Sequence, residues 1–235
     1  MIKRKRLGQH FLTSNTIAKS IALEAKISKN DTVFELGTGL GILTPLLCEN
    51  AKNVISIDTD RRLYEKAKSR FSSIANLSIE FGDGFKQHNV FSIFVSNLPY
   101  SKSKDAIEWL ANTPFSHGVI MVQKEFAEKL LAKSSKNRRS VSIIANYAFE
   151  IEKILDVGKR NFSPPPKVDS VVLKIIKKKS LEKDLIHVIN KMVSYRRKTI
   201  QNIFKQFEKE TVIEKRLDDL SGDEIIDLAK EILER

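Results

Sequence analysis

Thr32-Val33-Phe34-Glu35-Leu36-Gly37-Thr38-Gly39-Leu40-Gly41 is a short apolar run that ends in three closely spaced glycines, with an apolar stretch of helical character continuing through Cys48. A strand that turns through glycines into a helix brings backbone N–H groups close to a ligand, the local design of a nucleotide-type site. A dinucleotide fingerprint would place its third glycine three positions after the second. That position holds Ile42 and the glycine comes early, at Gly41, which weakens a nicotinamide-dinucleotide reading.

Working outward, strand-like runs occur at Thr32 to Leu36, Asn53 to Ile57, Leu77 to Phe81, Phe91 to Ser96, Val119 to Val122, Val141 to Phe149 and Ser170 to Ile176. The first of these alternate with amphipathic helical stretches, the pattern of a parallel sheet with crossover helices. Between the last two lies only Glu150 to Lys167 with its Ser163-Pro164-Pro165-Pro166 run, so a long antiparallel return is expected. Seven strands ending in such a pair resemble the S-adenosylmethionine-dependent methyltransferase fold, a Rossmann-like α/β architecture. After Lys177-Lys178-Lys179 the apolar spacing becomes wholly helical, and Ser221 precedes Glu224 in a capping-box spacing. The expected organisation is a Rossmann-like methyltransferase domain over 1–178 and a small helical C-terminal domain over 179–235.

With 41% hydrophobic and 30% charged residues, the 235-residue chain has the composition of a folded protein and not of a disordered one. Its net charge of +12 makes a polyanion such as nucleic acid the first partner to consider, with a solvated surface as the plainer reading. Residues 1–176 carry +10 of that excess. It is concentrated at Lys3, Arg4, Lys5 and Arg6, at Lys133, Lys136, Arg138 and Arg139, and at Lys159, Arg160 and Lys167. Of these, Lys3 to Arg6, Arg138, Arg139, Lys159, Arg160 and Lys167 are the candidate RNA contacts. A single cysteine, Cys48, excludes an internal disulfide and reads as core, and four scattered histidines imply no metal site. Gly8, Gln9 and His10 interrupt any apolar segment after the basic start, and no apolar run approaches bilayer length, so a cytoplasmic protein without a membrane partner is expected.

Three further features carry chemistry. Asp58, at the end of the second strand, can accept both hydroxyls of a ribose, and Asp83 in Gly82-Asp83-Gly84 can accept from an adenine amino group; tight turns are the alternative for both. Asn97-Leu98-Pro99-Tyr100 ends the fourth strand, where open α/β sheets bind ligands. Adenine N6 is a poor nucleophile because its lone pair is delocalised into the ring. The Asn97 side-chain oxygen and the Leu98 carbonyl can accept its two hydrogens, while Pro99 keeps Leu98 extended and Tyr100 stacks on the base.

In these motifs the sequence resembles the rRNA adenine dimethyltransferases, the family that contains the small-subunit enzymes of kasugamycin sensitivity and the Erm-type macrolide-resistance methylases. Leu7-Gly8-Gln9-His10-Phe11-Leu12, Glu35 to Gly41, Asp58, Asp83, Asn97 to Tyr100 and Phe162-Ser163-Pro164-Pro165-Pro166-Lys167-Val168-Asp169-Ser170 match its motifs in order. The resemblance implies S-adenosylmethionine as cofactor, held by Gln9, His10, Leu12, Glu35, Gly37, Gly39, Asp58, Asp83 and Asn97. It also implies that Phe162 faces Tyr100 across the target adenine, with packing that anchors its loop as the alternative. Leu98, Gly39 to Thr44 and Arg196-Arg197-Lys198-Thr199-Ile200 look like the small-subunit branch. That branch implies dimethylation of two adjacent adenosines in the hairpin loop near the 3′ end of small-subunit rRNA, within an immature subunit and by a monomer. The sequence departs from the family at Asp58, where glutamate is usual, at Asn137-Arg138-Arg139-Ser140, and in a short helical domain. An Erm-type enzyme acting on large-subunit rRNA and a non-catalytic ribosome assembly factor are the competing readings.

Overall fold

The structure, a computed structural model, describes residues 9–87, 89–132 and 138–234. Lys3, Arg4, Lys5, Arg6, Leu7, Gly8, Lys133, Lys136 and Asn137 lie outside the described residues. The elements in chain order are β1 (Phe11–Leu12), α1 (Asn15–Glu24), β2 (Thr32–Leu36), α2 (Thr44–Cys48), β3 (Asn53–Asp58), α3 (Arg61–Arg70), β4 (Leu77–Phe81), β5 (Ile93–Asn97) and α4 (Ser103–Asn112). They continue as β6 (His117–Gln123), α5 (Lys124–Leu131), α6 (Ser140–Ala148), β7 (Phe149–Val157), β8 (Phe162–Ser163), β9 (Ser170–Lys177), α7 (Lys183–Ser194), α8 (Ile200–Phe204) and α9 (Gly222–Leu233). Among the described residues no helix is long and apolar enough to cross a membrane.

The chain divides into two compact units, one of Met1–Ala106, Pro114–Ala127 and Ile151–Lys177 and one of Ile107–Thr113, Glu128–Glu150 and Lys178–Arg235. The first is built on a seven-stranded sheet in the order β4-β3-β2-β5-β6-β9-β7. The pairings β2–β3, β3–β4, β2–β5 and β5–β6 are parallel, and β9 runs antiparallel to β6. The order reverses between β2 and β5, so the crevice at their carboxyl ends is where a ligand binds in sheets of this kind. Strands β2 and β5 are buried almost throughout, which accounts for their unbroken apolar runs. The fold class read from the sequence is the one observed.

The second unit is mainly helical. Leu185, Ile189 and Met192 of α7 and Ile225, Ile226 and Ala229 of α9 are buried, the faces that their apolar spacing marks out. Helix α9 starts with the expected box, Ser221 Oγ accepting from Glu224 N at 3.2 Å and Glu224 Oε2 accepting from Ser221 N at 2.6 Å.

One expected strand is wrong. Val141 to Phe149 folds as α6 up to Ala148, and the strand begins only at Phe149. Val141, Ser142, Ile143, Ile144 and Ala145 are consecutive buried residues, and a helix buried on several faces shows the same continuous apolar run as a buried strand. The true strand, Phe149-Glu150-Ile151-Glu152-Lys153-Ile154-Leu155-Asp156-Val157, lies at the sheet edge, where charged side chains stay in solvent and dilute the apolar signal.

The turn after β2 has Gly37, Gly39 and Gly41 at φ of +84°, +58° and +72°. A Cβ on Gly41 would come within 2.3 Å of the Phe71 ring that closes α3, whereas one on Gly37 would meet nothing within 4 Å. Gly41→Ala therefore combines left-handed strain with overpacking and is expected to cost about 2–4 kcal/mol in urea unfolding, against about 1–2 kcal/mol for Gly37→Ala. Equal losses in the two variants would show that the Phe71 contact does not hold the turn.

Candidate active site

A cavity of about 180 Å³ opens at the carboxyl edge of the sheet, where β2, β3, β4 and β5 all deliver residues to it. Gly37 and Gly39 follow β2, Asp58 ends β3, Gly82 and Asp83 follow β4, and Asn97 to Tyr100 come from β5. Gln9, His10 and Phe11 form another wall. Ten of the sequence-derived candidates thus meet in one place: Gln9, His10, Gly37, Gly39, Asp58, Asp83, Asn97, Leu98, Pro99 and Tyr100.

The glycine turn is fixed from below by a buried hydroxyl chain. Glu35 Oε2 accepts from Thr44 Oγ1 at 2.7 Å and from Ser56 Oγ at 2.6 Å. With its proton committed to Glu35, the Ser56 oxygen is free to accept from Thr38 Oγ1, 2.6 Å away. All four side chains are buried, and Glu35 does not line the cavity. Its expected role as a cofactor ligand is therefore corrected to one of support. Burial pushes the Glu35 carboxyl up to about 7, against the two hydroxyl hydrogen bonds, which favour the charged form.

Asp58 stays at the surface of the site. Its Oδ2 accepts from Gly39 N at 2.9 Å and its Oδ1 from Asp60 N at 2.8 Å, and burial raises its carboxyl against those two bonds. The turn reading and the ligand reading of Asp58 are thus compatible, since each carboxylate oxygen has a second lone pair. Asp83 behaves alike: its Oδ1 caps the turn at Phe85 N, 3.1 Å away, while the residue lines the cavity.

The wall formed by residues 9–11 explains two corrections. Strand β1 pairs antiparallel with β8, Leu12 opposite Phe162 and Phe11 opposite Ser163. Directly opposed residues share a face of the ribbon and neighbours along a strand point to opposite faces. Leu12 and Phe162 both go into the core, 3% and 4% exposed, and neither lines the cavity. Phe11 faces the cavity instead, its ring 3.4 Å from where a Cβ on Gly39 would lie. Phe162 is thus a loop anchor here and does not form the second face of a base sandwich. The ring beside Tyr100 is that of His10, with centroids 5.5 Å apart, and His10 Nδ1 donates to the Pro164 carbonyl at 2.8 Å.

The motif after β5 is held on both sides. The Leu98 amide donates to the Met121 carbonyl at 3.1 Å, and the Asn97 side-chain amide donates to the His10 carbonyl at 3.5 Å. Pro99 takes φ −55° and ψ 128° ahead of the single 3-10 turn Tyr100–Lys102. The Tyr100 hydroxyl shares a hydrogen bond of 2.8 Å with Ser170 Oγ, and burial raises its pKa, so the phenol stays neutral.

Sequence reasoning missed Phe11, Leu36, Ile57, Thr59, Leu63, Gly82, Gly84, Phe85 and Lys102 as lining residues. Most are apolar or small, a signal indistinguishable from core, although strand alternation could have selected Phe11 over Leu12. Among the basic candidates, Arg139, Lys159, Arg160 and Lys167 are exposed. Arg138 is half-buried and its Nη1 donates to the Leu220 carbonyl at 2.6 Å.

The family model described as ribosomal RNA adenine dimethylase matches residues 2–232. The chain belongs to the ribosomal RNA adenine dimethylase family. Its relatives include a protein named ribosomal RNA small subunit methyltransferase A from Thermotoga neapolitana, 35% identical, with 96% of this chain and 90% of the relative covered. A protein of the same name from Borreliella burgdorferi is 33% identical, with 96% and 87% covered. Among solved structures, a dimethyladenosine transferase from Plasmodium falciparum superposes with a TM-score of 0.79 at 29% identity, covering 95% of this chain and 98% of that one. The 23S rRNA methyltransferase ErmE, at 21% identity, 95% and 100% coverage and a TM-score of 0.66, shares the fold.

The family's cofactor is S-adenosylmethionine, and the site suits it. The cavity offers two carboxylates to a cationic cofactor with ribose and amino donors, apolar Leu36, Ile57, Leu63 and Phe85 to an adenine ring, and glycines where side chains would intrude.

Because the folded protein favours the neutral Glu35 carboxyl, the resulting stability is fully present below pH 4.5 and is lost as pH rises through about 7. The span amounts to about 3 kcal/mol. Glu35→Gln should lack that decline, so the difference between mutant and wild-type unfolding free energies measured by urea should move in the mutant's favour by about 3 kcal/mol between pH 4.5 and 8. An unchanged pH slope would mean that Glu35 ionises normally in the folded protein.

Proposed function

We propose that this dimethylase transfers methyl groups to N6 of two adjacent adenosines in the hairpin loop near the 3′ end of small-subunit rRNA, acting in the cytoplasm as a monomer on an immature ribosomal subunit. The observation that carries the reading is Asn97-Leu98-Pro99-Tyr100 at the carboxyl end of β5, opening into the cavity that Asp58 and Asp83 also face. We assign the chemistry to residues 1–178, with 179–235 as a helical appendage. The names of the curated relatives support the small-subunit choice.

S-adenosylmethionine supplies a methyl group on a positively charged sulfur. The protein's task is to make adenine N6 attack it. In this reading Asn97 Oδ1 and the Leu98 carbonyl accept the two N6 hydrogens, which draws the lone pair out of conjugation and toward the methyl. The Leu98 carbonyl is held by its own amide's bond to Met121 and by the extended conformation that Pro99 enforces. The Tyr100 ring, tethered through Ser170, offers its face to the unstacked base, worth about 1–3 kcal/mol. No side chain is required as a strong base, because N6 becomes acidic as the bond forms and positioning supplies the rate.

Asn97→Ala should lower kcat by about 10²- to 10³-fold, the usual cost of one positioned hydrogen-bonding group, while the cofactor Kd changes little. Full activity in that variant would remove the mechanism. Tyr100→Ala should raise the KM for RNA by the equivalent of about 1–3 kcal/mol, and Tyr100→Phe, which keeps the ring, should restore most of it. Labelled cofactor offered with undermethylated small subunits and with naked large-subunit rRNA, followed by mapping of the modified bases, tests the substrate. Labelling of the large-subunit RNA alone overturns the small-subunit assignment, and binding of small subunits with no transfer overturns the enzymatic one.

A further inference from the structure

Helix α3 carries five cations, Arg61, Arg62, Lys66, Lys68 and Arg70, against one carboxylate, Glu65, and all six are exposed. Part of this arrangement works against the helix, although Asp60 caps its N-terminus and Lys68 and Arg70 sit favourably in its last turn. Its first turn holds two arginines and no acid, at the end where the helix dipole disfavours positive charge. Arg62, Lys66 and Arg70 stand four residues apart in sequence, forming a row of like charges along one face, a spacing that destabilises isolated helices.

Three of the five cations are tied locally. Arg61 lies 4.7 Å from the Phe81 ring centroid and pairs with Glu65 at 3.8 Å, and Lys68 donates to the Tyr64 hydroxyl at 3.0 Å. Arg70 donates to the Leu40 carbonyl in the glycine turn at 3.2 Å. Among the described residues the Arg62 and Lys66 side chains make no hydrogen bond or ion pair. Helix α3 also begins at the cavity: Thr59, just before it, and Leu63, in its first turn, both line it.

We propose that Arg62 and Lys66, the two unpartnered cations of this row, form an RNA-docking surface that holds the phosphates of the substrate strand beside the active site. The proposal rests on the rRNA reading above and adds to it a surface that the motif comparison does not contain. Four helical residues rise about 6 Å, comparable to the separation of neighbouring phosphates along an RNA strand, so a row at this spacing meets successive phosphates. The contacts are sequence-independent and fix the register of the strand, leaving base choice to the cavity.

The test is the salt dependence of binding to undermethylated small subunits, compared among wild type, Arg62→Ala/Lys66→Ala, and the control pair Lys19→Ala/Lys52→Ala. The control removes the same charge from exposed positions on α1 and just before β3, at the opposite end of that strand from Asp58. Alanine suits a helix, so the α3 variant is expected to fold at least as stably as wild type, and an unchanged cofactor Kd reports an intact cavity. Loss of two phosphate contacts should lower the magnitude of the log K against log salt slope by about 1.4–1.8 in the α3 variant and not in the control. An unchanged slope in the α3 variant, or an equal fall in both variants, overturns the proposal. Failure of the rRNA reading is separately visible as no methyl transfer by wild type.

Discussion

The buried Glu35 carboxyl is the constraint on which the site depends. It draws together Thr44 at the start of α2, Ser56 on β3 and, through Ser56, Thr38 in the glycine turn. A carboxylate with no cation beside it is expensive to bury, and the structure meets that cost by favouring the neutral form and by giving one oxygen two hydroxyl donors. The turn is thereby fastened to β2, β3 and α2 at once, which leaves its backbone rigid where Gly37 and Gly39 face the cavity. Phe71 against Gly41 and Phe11 against Gly39 pack the other sides of the same turn.

Given a fixed turn, the sheet order does the rest. The reversal between β2 and β5 makes neighbours of strands that are far apart in sequence, so Asp58, Asp83 and Asn97 arrive at one edge although each is separated from the next by at least a dozen residues. Each acid uses part of its hydrogen-bonding capacity to shape its own turn and presents the remainder to the cavity. The distinction between a structural aspartate and a binding aspartate dissolves at such positions.

The wall made by residues 9–11 depends on the most distant pairing in the unit, β1 with β8, along with the bonds from Thr13 to Asn161 and from His10 to Pro164. Both strands of that ribbon are two residues long, yet their register decides which aromatic ring faces the cavity. Phe11 and His10 gain access while Leu12 and Phe162 are consumed in anchoring the ribbon to the core.

The sequence by itself determined the α/β class, six of the seven strands of the main sheet, the helical tail with its Ser221 cap, and the motifs that converge on the cavity. These signals are local: alternation of apolar residues, glycines after a strand, an acid at a strand end, a capping residue at fixed spacing. Only tertiary structure decided that Val141 to Ala148 is a helix, because burial on several faces erases the periodicity that separates helix from strand. It also decided that Glu35, Leu12 and Phe162 support the site from behind while Phe11 lines it, since the direction of a side chain in a two-residue strand is set by a partner some 150 residues away. The free pair on α3, Arg62 and Lys66, became visible for the same reason: composition counts the charges of the helix, but only the fold shows which of them have partners.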